Sequence, residues 1–391
     1  MSRAQFHLAL IRRHGSLYLE PTPTMRPGPG GLLIALSHVG ICGTDLQILN
    51  GTRPDTAEIL GHEGVGAVVE AGHGAVLRAG DRVVFNPVAE LCDGNILGHN
   101  VSGLFQEYIS LGPRAVARGL VLPMENGTPF ACEALVEPLG AVIYGYELIS
   151  RATSHLRTAV VFGAGPVGTL AAVFLRTLGI RALLVHRSAI RLETIRNLQI
   201  IPAADLVLVS ENLPARILAI TDGRGTDAAL ICTTRAGAPD ALRKAAHIVS
   251  NGGCIDLVTN YPENAPVPSG TSNEAVRGVR AANVCGLPKE GAYLHATAGG
   301  RSICITGHRG TSTGHLTRAL YELKTRGPLY AKLITHVLPL SEAANAIQTL
   351  AHSAERFLAG RDCIKAVIDL TMPHARSRTP VPGMTPVCLP E

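Results

Sequence analysis

The chain has 391 residues, of which 46% are hydrophobic and 17% charged, and its formal net charge at pH 7 is +5. This length and composition are typical of a globular α/β protein of about two to three domains, and they exclude an intrinsically disordered chain. The basic residues form no long block, which argues against a nucleic acid or a membrane surface as the partner.

The cysteines and the apolar segments indicate a cytoplasmic protein. Nine Cys are widely separated and form no CxxC pair, a pattern typical of reduced thiols. Arg12 and Arg13 follow the apolar N-terminal stretch, the reverse of the order in a secretory signal. Gly and Pro interrupt the longest uncharged run, 159–175, so we do not interpret it as a membrane span.

The first third of the chain contains short β-like runs separated by glycines, at 31–40, 64–70 and 81–85, and it predicts a compact β-rich body. From about residue 151 the pattern changes to alternating strands and helices. The predicted strands are 158–162, 182–186, 228–232, 254–259 and 303–307, with a helix at 167–178. Such alternation predicts a doubly wound parallel sheet.

The C-terminal third predicts two helices and two irregular segments. One helix covers 315–326 and should stop at Gly327-Pro328, and the second has Ser341 as its N-cap and ends near residue 350. The connection 262–300 is unusually long and contains a helical stretch at 273–284, so we expect it to be functional or disordered. The Pro-rich end, 371–391, predicts a tail.

A glycine-rich turn joins the strand at 158–162 to the following helix. In this turn Gly163 allows a tight bend, Gly165 allows the backbone to approach a pyrophosphate, and Gly168 allows the helix to pack closely on the strand. The helix N-terminus, beginning at Pro166 and Val167, offers N–H groups to phosphates. The segment therefore predicts a dinucleotide site, with a plain turn of an α/β protein as the alternative.

The end of the second strand favours NADP(H) over NAD(H). An NAD site usually has an acid here for the ribose 2′-hydroxyl, whereas this chain has His186, Arg187 and Ser188. An arginine and a hydroxyl suit a 2′-phosphate. Arg191 is a further candidate, and the alternative for Arg187 is a solvated loop residue.

Three separated fragments carry residue types that bind zinc. They contain Cys42, the pair His62 and Glu63, and Glu137. Cys, His and carboxylate ligands occur in catalytic zinc sites, which leave one position open for water or substrate. Each fragment alone is weak evidence, because a single Cys is usually part of a core and a His-Glu pair usually lies in a surface turn.

Taken together, the motifs resemble the zinc-containing medium-chain alcohol dehydrogenases, especially the sorbitol, threonine and glucose dehydrogenase branch. The resemblance runs over about 31–370. The motifs are ICGTD at 41–45, GHEGVG at 61–66, AGDRVV at 79–84, EY at 107–108, LVEPLG at 135–140, GAGPVG at 163–168, GRGTD at 223–227 and LITH at 333–336.

The resemblance implies a GroES-like β-rich catalytic domain, formed by both ends of the chain, with an inserted Rossmann domain. We expect the first catalytic part at 1–150 and the Rossmann domain at 151–305, with the enlarged loop 262–300. The second catalytic part is expected at 306–370, followed by the tail 371–391. Relatives of this kind also imply a homodimer or homotetramer.

Site residues carried over from the family divide into two groups. For the metal, Cys42, His62 and Glu63 match the catalytic zinc ligands, and Glu137 matches a further or alternating ligand. Asp45 matches the acid that orients the zinc histidine, and Thr44 matches the hydroxyl that bonds the substrate alcohol and begins proton transfer. The expected cofactor residues are Gly163, Gly165, Pro166, Val167, Gly168, His186, Arg187, Ser188, Arg191 and Cys232.

The sequence departs from the family in three places. Many relatives hold a structural zinc with four closely spaced cysteines, but between Val84 and Phe105 this chain has only Cys92, so we expect one catalytic zinc and no structural zinc. Gln47 replaces the proton-relay histidine of threonine and sorbitol dehydrogenases. The third departure is the 262–300 loop, in which we interpret Arg277 and Arg280 as a solvated helix face, with contacts to an anionic group of substrate or cofactor as the alternative.

The sequence therefore predicts a zinc-dependent oxidoreductase that transfers a hydride between NADP(H) and a secondary alcohol or ketone of a polyol, sugar or cyclitol-like substrate. One alternative is a zinc-free NADPH-dependent carbonyl or enone reductase of the same superfamily. Another is a non-catalytic NADP(H)-binding protein, since a fold alone does not determine function.

Overall fold

The computed structural model describes residues 6–88, 94–125, 130–353 and 355–372. The segment with Cys92, and all but the first two residues of the predicted tail, lie outside these ranges. The absence of a structural zinc therefore stays a prediction from sequence.

The strands and helices are numbered in chain order. The strands are β1 (Phe6–Arg13), β2 (Ser16–Pro23), β3 (Leu32–Gly40), β4 (Glu63–Ala71), β5 (Arg82–Phe85), β6 (Tyr108–Leu111), β7 (Val121–Met124), β8 (Thr158–Phe162), β9 (Arg181–His186), β10 (Leu206–Leu208), β11 (Thr226–Ile231), β12 (Val249–Leu257), β13 (Leu294–Ala298), β14 (Arg301–Gly307), β15 (Ile334–Pro339), β16 (Phe357–Leu358), β17 (Arg361–Asp362) and β18 (Lys365–Asp369). The α-helices are α1 (Gly43–Leu49), α2 (Pro113–Ala117), α3 (Val136–Ala152), α4 (Pro166–Thr177), α5 (Ala189–Leu198), α6 (Leu213–Ile220), α7 (Ala238–Ile248), α8 (Asn273–Ala282), α9 (Thr313–Ala331) and α10 (Leu340–His352).

The middle of the chain forms a seven-stranded sheet in the order β10-β9-β8-β11-β12-β14-β13. All neighbouring strands are parallel except β13, which is antiparallel to β14. Successive residues of β8 face two different apolar clusters, Val161 in one and Val160 in the other, so both faces of the sheet are covered. This is the predicted doubly wound sheet, and the polar segments that bind ligands in such sheets follow the carboxyl ends of the strands.

The two ends of the chain share a second sheet, in the order β15-β18-β3-β4-β5-β7, with β6 also paired to β3. The C-terminal strand β18 runs antiparallel to β3, with Ile368 opposite Val39. This pairing brings the start of β18 next to the end of β3 and the beginning of β4. The predicted fold class, a GroES-like β body with a Rossmann sheet, is confirmed, while the domain boundaries stay predictions.

One predicted helix limit agrees with the backbone and one is wrong. The backbone leaves the helical region at Arg326 (φ −128°, ψ 23°), just before Gly327-Pro328, as predicted for the end of the first helix. A second helical segment, which the sequence analysis did not predict, continues α9 to Ala331 and buries Tyr330. Ser341 is not the N-cap of α10, because the helix begins one residue earlier at the fully buried Leu340, with Pro339 as its N-cap.

The long connection 262–300 is docked on the sheet through α8, β13 and one buried amide. The side chain of Asn283 donates to the carbonyl oxygens of Gly307 (2.9 Å) and Ala292 (3.0 Å) and accepts from the N–H of Ala292 (2.7 Å). Strand β13, which the sequence analysis did not identify, forms a hairpin with β14. Among the described residues, no helix has both the length and the apolar character needed to cross a membrane.

Candidate active site

A thiol, an imidazole and a carboxylate meet where β3, α1 and β4 come together. Cys42 precedes α1 as its N-cap, whereas His62 and Glu63 lie at the start of β4. One ligand atom from each of these three residues lies within 4.8 Å of the other two. A sulfur, a nitrogen and an oxygen donor in this arrangement suit Zn²⁺. The structure thus brings together the three residues that the sequence predicts as zinc ligands.

Asp45 holds this cluster from inside the protein, as predicted from its place in the motif. Its fully buried carboxylate accepts hydrogen bonds from the N–H groups of Cys42 (2.8 Å) and Gly61 (3.0 Å). Its Oδ1 atom is 3.5 Å from Nδ1 of His62. Burial alone would raise the pKa of Asp45, but the charge of His62 and these hydrogen bonds lower it below its usual range. An acid beside the ring nitrogen that faces away from the metal fixes the orientation of a ligand histidine.

Lys365, which the sequence analysis missed, forms a buried ion pair with Glu63. Its Nζ atom contacts Oε2 of Glu63 and donates to the carbonyl oxygen of Ile41 at 3.1 Å. The two side chains are 1% and 2% exposed, so each charge depends on the other for compensation. A Cβ on Gly40 would lie 2.6 Å from Oε2 of Glu63 and 2.7 Å from Nζ, which explains the glycine at that position.

Glu137 lies outside the group of three but close to it. It is in the first turn of α3, and its side chain is half-buried. Burial and the nearby charge of Glu63 raise its pKa to about 7. The structure therefore places Glu137 near the cluster, while its role as a ligand stays a prediction.

A second histidine, which sequence reasoning also missed, packs against the cluster. The rings of His99 and His62 are in edge-to-face contact, with centroids 5.0 Å apart. His99 Nδ1 is 3.4 Å from an oxygen of Asp55 and 3.4 Å from Nη2 of Arg53. Burial, followed by the charges of His62 and Arg53, lowers the pKa of His99 to about 4, so its ring is neutral at pH 7.

The glycine-rich loop after β8 has the shape of a phosphate cradle. Gly163 has φ +102°, and a Cβ there would lie 2.5 Å from the carbonyl oxygen of Cys232. A Cβ on Gly168 would lie 1.8 Å from the carbonyl oxygen of Gly163, whereas one on Gly165 would meet nothing within 4 Å. Gly165 is also the N-cap of α4. Because glycine has no side chain, it does not occupy the N–H groups of the first turn, and they face open space. These features fit a bound pyrophosphate.

The residues after β9 have different surroundings. His186 Nδ1 accepts the N–H of Ala164 at 3.2 Å and so braces the loop, and burial followed by the charges of Arg191 and Arg187 lowers the pKa of His186 to about 4. Ser188 caps α5 by accepting the N–H of Arg191. Arg187 is exposed and makes no ion pair with a described residue.

Arg191 is buried and already engaged within the protein. Its guanidinium contacts Asp362 at 2.8 Å and the carbonyl oxygen of Cys363 at 2.8 Å. It also donates to the carbonyl oxygen of Ala164 at 3.4 Å. The contacts with Asp362 and Cys363 tie the glycine-rich loop to the C-terminal segment of the chain. Of the two arginines considered for the 2′-phosphate, Arg187 is therefore the one with an unpaired charge.

Comparison with known proteins agrees with this fold. Residues 28–120 match the model of the alcohol dehydrogenase GroES-like domain. The chain is 30% identical over 260 residues to the L-threonine 3-dehydrogenase of Pyrococcus furiosus, covering 61% of this chain and 70% of that protein. It is 35% identical over 185 residues to the glucose 1-dehydrogenase of Thermoproteus tenax. This match covers 42% of this chain and 52% of that protein, so the chain spans about half the length of this relative.

A similar solved structure is that of a proposed zinc-binding dehydrogenase from Sinorhizobium meliloti 1021, bound to NADP, with a TM-score of 0.71 and 20% identity. The likeness covers 94% of this chain and 100% of that one, and at this identity it shows the fold alone. From the sequence relatives, the chain belongs to the zinc-containing medium-chain alcohol dehydrogenase/reductase superfamily.

The buried ion pair leads to a prediction about stability. In the zinc-free protein, Lys365→Met leaves the Glu63 carboxylate buried without its partner, so we expect a loss of about 3–5 kcal/mol in the free energy of unfolding. Urea denaturation of the zinc-free wild type and the zinc-free variant measures this loss.

The matched control is the double variant Lys365→Met/Glu63→Gln, which removes both charges. It should recover most of the lost stability while binding less zinc than the wild type. If Lys365→Met alone lowers the free energy of unfolding by less than about 1 kcal/mol, the buried Glu63 carboxylate does not need Lys365 to compensate its charge.

Proposed function

We propose that this protein is a zinc-dependent oxidoreductase that transfers a hydride between NADP(H) and the carbinol carbon of a secondary alcohol. The substrate class that we propose is a polyol, sugar or cyclitol-like molecule. The observation that carries the proposal is the convergence of Cys42, His62 and Glu63, with Asp45 behind them, in a chain that also forms a dinucleotide cradle. The relatives named glucose and threonine dehydrogenases support an alcohol as substrate.

Each part of the site has a separate task in this proposal. Cys42, His62 and Glu63 would hold the zinc, with Glu137 as the proposed further ligand, and zinc when bound would supply a Lewis acid for the substrate oxygen. The half-buried Thr44, in the first turn of α1, accepts the hydroxyl proton at Oγ1 and passes it toward the cofactor ribose and solvent. Gln47 does not relay this proton, because an amide has no suitable pKa.

When bound, the cofactor would lie along the carboxyl ends of the strands of the parallel sheet. The N–H groups of Gly165, Val167 and Gly168 would bind the pyrophosphate. Gly163, whose N–H donates to the carbonyl oxygen of Val185, forms the turn of the glycine-rich loop, and Pro166, which has no N–H, begins α4. Cys232 forms the opposite wall of that loop. Arg187 and Ser188 bind the 2′-phosphate, while His186 and Arg191 hold the loop in place. The NADP bound to the Sinorhizobium meliloti protein supports the choice of cofactor.

The edge of the parallel sheet supports the predicted homo-oligomer. Strand β13 ends this sheet and pairs on one side only, with β14. An edge strand presents unpaired backbone groups that a second copy can cover. We therefore propose that the protein is a homodimer or homotetramer.

Metal analysis combined with an activity assay tests the metal-dependent proposal. We expect one zinc per chain and NADP⁺ reduction with members of a polyol panel. Cys42→Ala should lose the zinc and reduce kcat/KM by more than about 100-fold, because it removes a ligand.

Cys304→Ala is the matched control, since Cys304 lies in β14 away from the cluster, and it should retain both zinc and activity. Full activity in a metal-free preparation would contradict the proposal and favour a zinc-free reductase. Binding of NADP(H) without turnover of any alcohol or ketone would favour a non-catalytic protein.

Arg187 gives a separate test of the cofactor assignment. Arg187→Asp removes the cation and adds a like charge next to the 2′-phosphate, so the ratio of kcat/KM for NADP⁺ over NAD⁺ should fall by about 10- to 100-fold or more. Arg196→Ala is the control, because Arg196 lies on the neighbouring helix α5 and is paired with Glu193. An unchanged ratio in Arg187→Asp would refute the assignment of the 2′-phosphate to this residue.

A further inference from the structure

Arg280 lies on the docked helix α8, over the carboxyl ends of two strands of the parallel sheet. A Cβ on Gly307, the last residue of β14, would be 3.0 Å from Cβ of Arg280, so the helix approaches this strand end closely. The Nη2 atom of Arg280 donates to the carbonyl oxygen of Val258, just after β12, at 3.3 Å. This edge of a doubly wound sheet is where ligands bind.

The guanidinium of Arg280 is only partly satisfied. Its Nε atom is buried and has no hydrogen-bond partner among the described residues. The charge of Asp256 acts on Arg280 and raises its pKa, but Asp256 forms no ion pair with Arg280. Its Oδ1 atom is 3.3 Å from His308 Nδ1, and its buried Oδ2 atom has no hydrogen-bond partner among the described residues. A buried donor on a cation without an acceptor is costly, which points to a missing anionic partner.

Arg277, three residues earlier on the same helix, provides the contrast. It is exposed and forms an ion pair with Glu263 at 2.6 Å. The sequence predicts that both arginines lie on a solvated face of the helix. This prediction is right for Arg277 and wrong for Arg280, because Val276 and Val279 of α8 pack against the sheet and bring Arg280 toward it.

Two other arginines add positive charge at the same place. Burial, together with the charges of Arg309 and Arg53, lowers the pKa of Arg280 to about 10. Arg309 is exposed and makes no ion pair with a described residue. Arg53 is paired with Asp55 at 2.8 Å, and its Nη2 atom is 3.4 Å from His99, whose ring contacts the proposed ligand His62. The charge of Arg53 is thus compensated by Asp55, whereas Arg309 acts on Arg280 with a charge that no described residue pairs.

The 262–300 connection and the segment after β14 also contact the catalytic β body. Sγ of Cys285 is 4.0 Å from the carbonyl oxygen of Val88, and the Asn86 side chain donates to the carbonyl oxygen of Thr311 at 3.3 Å. Arg280 therefore lies beside the place where the two sheets of the protein face each other, which is where a substrate between cofactor and metal must lie.

We propose that Arg280 and Arg309 bind an anionic group, a phosphate or a carboxylate, carried by the substrate alcohol. That this anionic ligand is the substrate rests on the proposed function. The cofactor phosphates are assigned elsewhere. The pyrophosphate is assigned to the loop after β8, two strand spacings or roughly 10 Å from β12, and the 2′-phosphate to Arg187 after β9, three spacings or roughly 14 Å from β12. The anion at Arg280 thus belongs to the molecule that occupies the other half of the cleft.

The test measures binding rather than turnover. Isothermal titration of the protein saturated with NADPH, which cannot accept a hydride from an alcohol, compares three ligands. D-sorbitol presents no anion, D-sorbitol 6-phosphate presents a phosphate, and D-gluconate presents a carboxylate. We expect at least one of the two anions to bind about 10- to 100-fold more tightly than D-sorbitol, and the tighter of them identifies the anionic group.

Arg280→Gln should remove most of this preference and leave the affinity for NADP⁺ unchanged. Arg277→Gln is the matched control on the same helix and should retain the preference. Arg309→Gln, at an exposed position that is safe for folding, should reduce the preference, and Arg280→Lys should retain part of it.

Equal binding of all three compounds to the wild type would overturn the inference. A preference that survives in both Arg280→Gln and Arg309→Gln, or a loss of NADP⁺ affinity in Arg280→Gln, would overturn it too. Failure of the proposed function has a different readout. If the proposed function is wrong, no alcohol is turned over, whereas the binding preference is measured without turnover.

Discussion

The buried ion pair between Glu63 and Lys365 is the constraint around which the two ends of the chain are arranged. Glu63 begins β4, Lys365 begins β18, and both strands pair with β3 between them. A carboxylate so deeply buried needs a compensating cation, so the catalytic sheet is complete only when the last strand has joined the first ones. The proposed metal cluster, which includes Glu63, thus depends on a contact between segments about 300 positions apart in sequence.

The motif-bearing parts of the molecule could be predicted from sequence, because local chemistry dictates them. The strand, turn and helix around Gly163 need glycines at positions where a Cβ would collide with backbone, and Cys42, His62 and Glu63 lie in motifs with the ligand types of zinc. The pairing of the two chain ends in one sheet could be predicted only from the family resemblance, because the hydrophobic periodicity of the sequence does not indicate which strands pair.

The rest depended on tertiary contacts that leave little trace in sequence. Lys365 is a single lysine in an apolar strand, and nothing nearby in the chain marks Glu63 as its partner. The place of His99 depends on contacts of its ring with Asp55 and His62, which are distant in sequence. Arg280 and Arg277 have similar local sequence surroundings, and only the docking of α8 leaves the first half-buried, with a buried Nε atom, and the second exposed.

The central claim is that Cys42, His62 and Glu63 form a catalytic zinc site with mixed donors, and X-ray absorption at the zinc edge tests it most directly. The account predicts one zinc per chain with a single sulfur neighbour at about 2.3 Å and nitrogen or oxygen neighbours at about 2.0–2.2 Å. The sulfur neighbour should disappear in Cys42→Ser. A shell of several sulfur atoms, or zinc coordination that is unchanged in Cys42→Ser, would contradict the account.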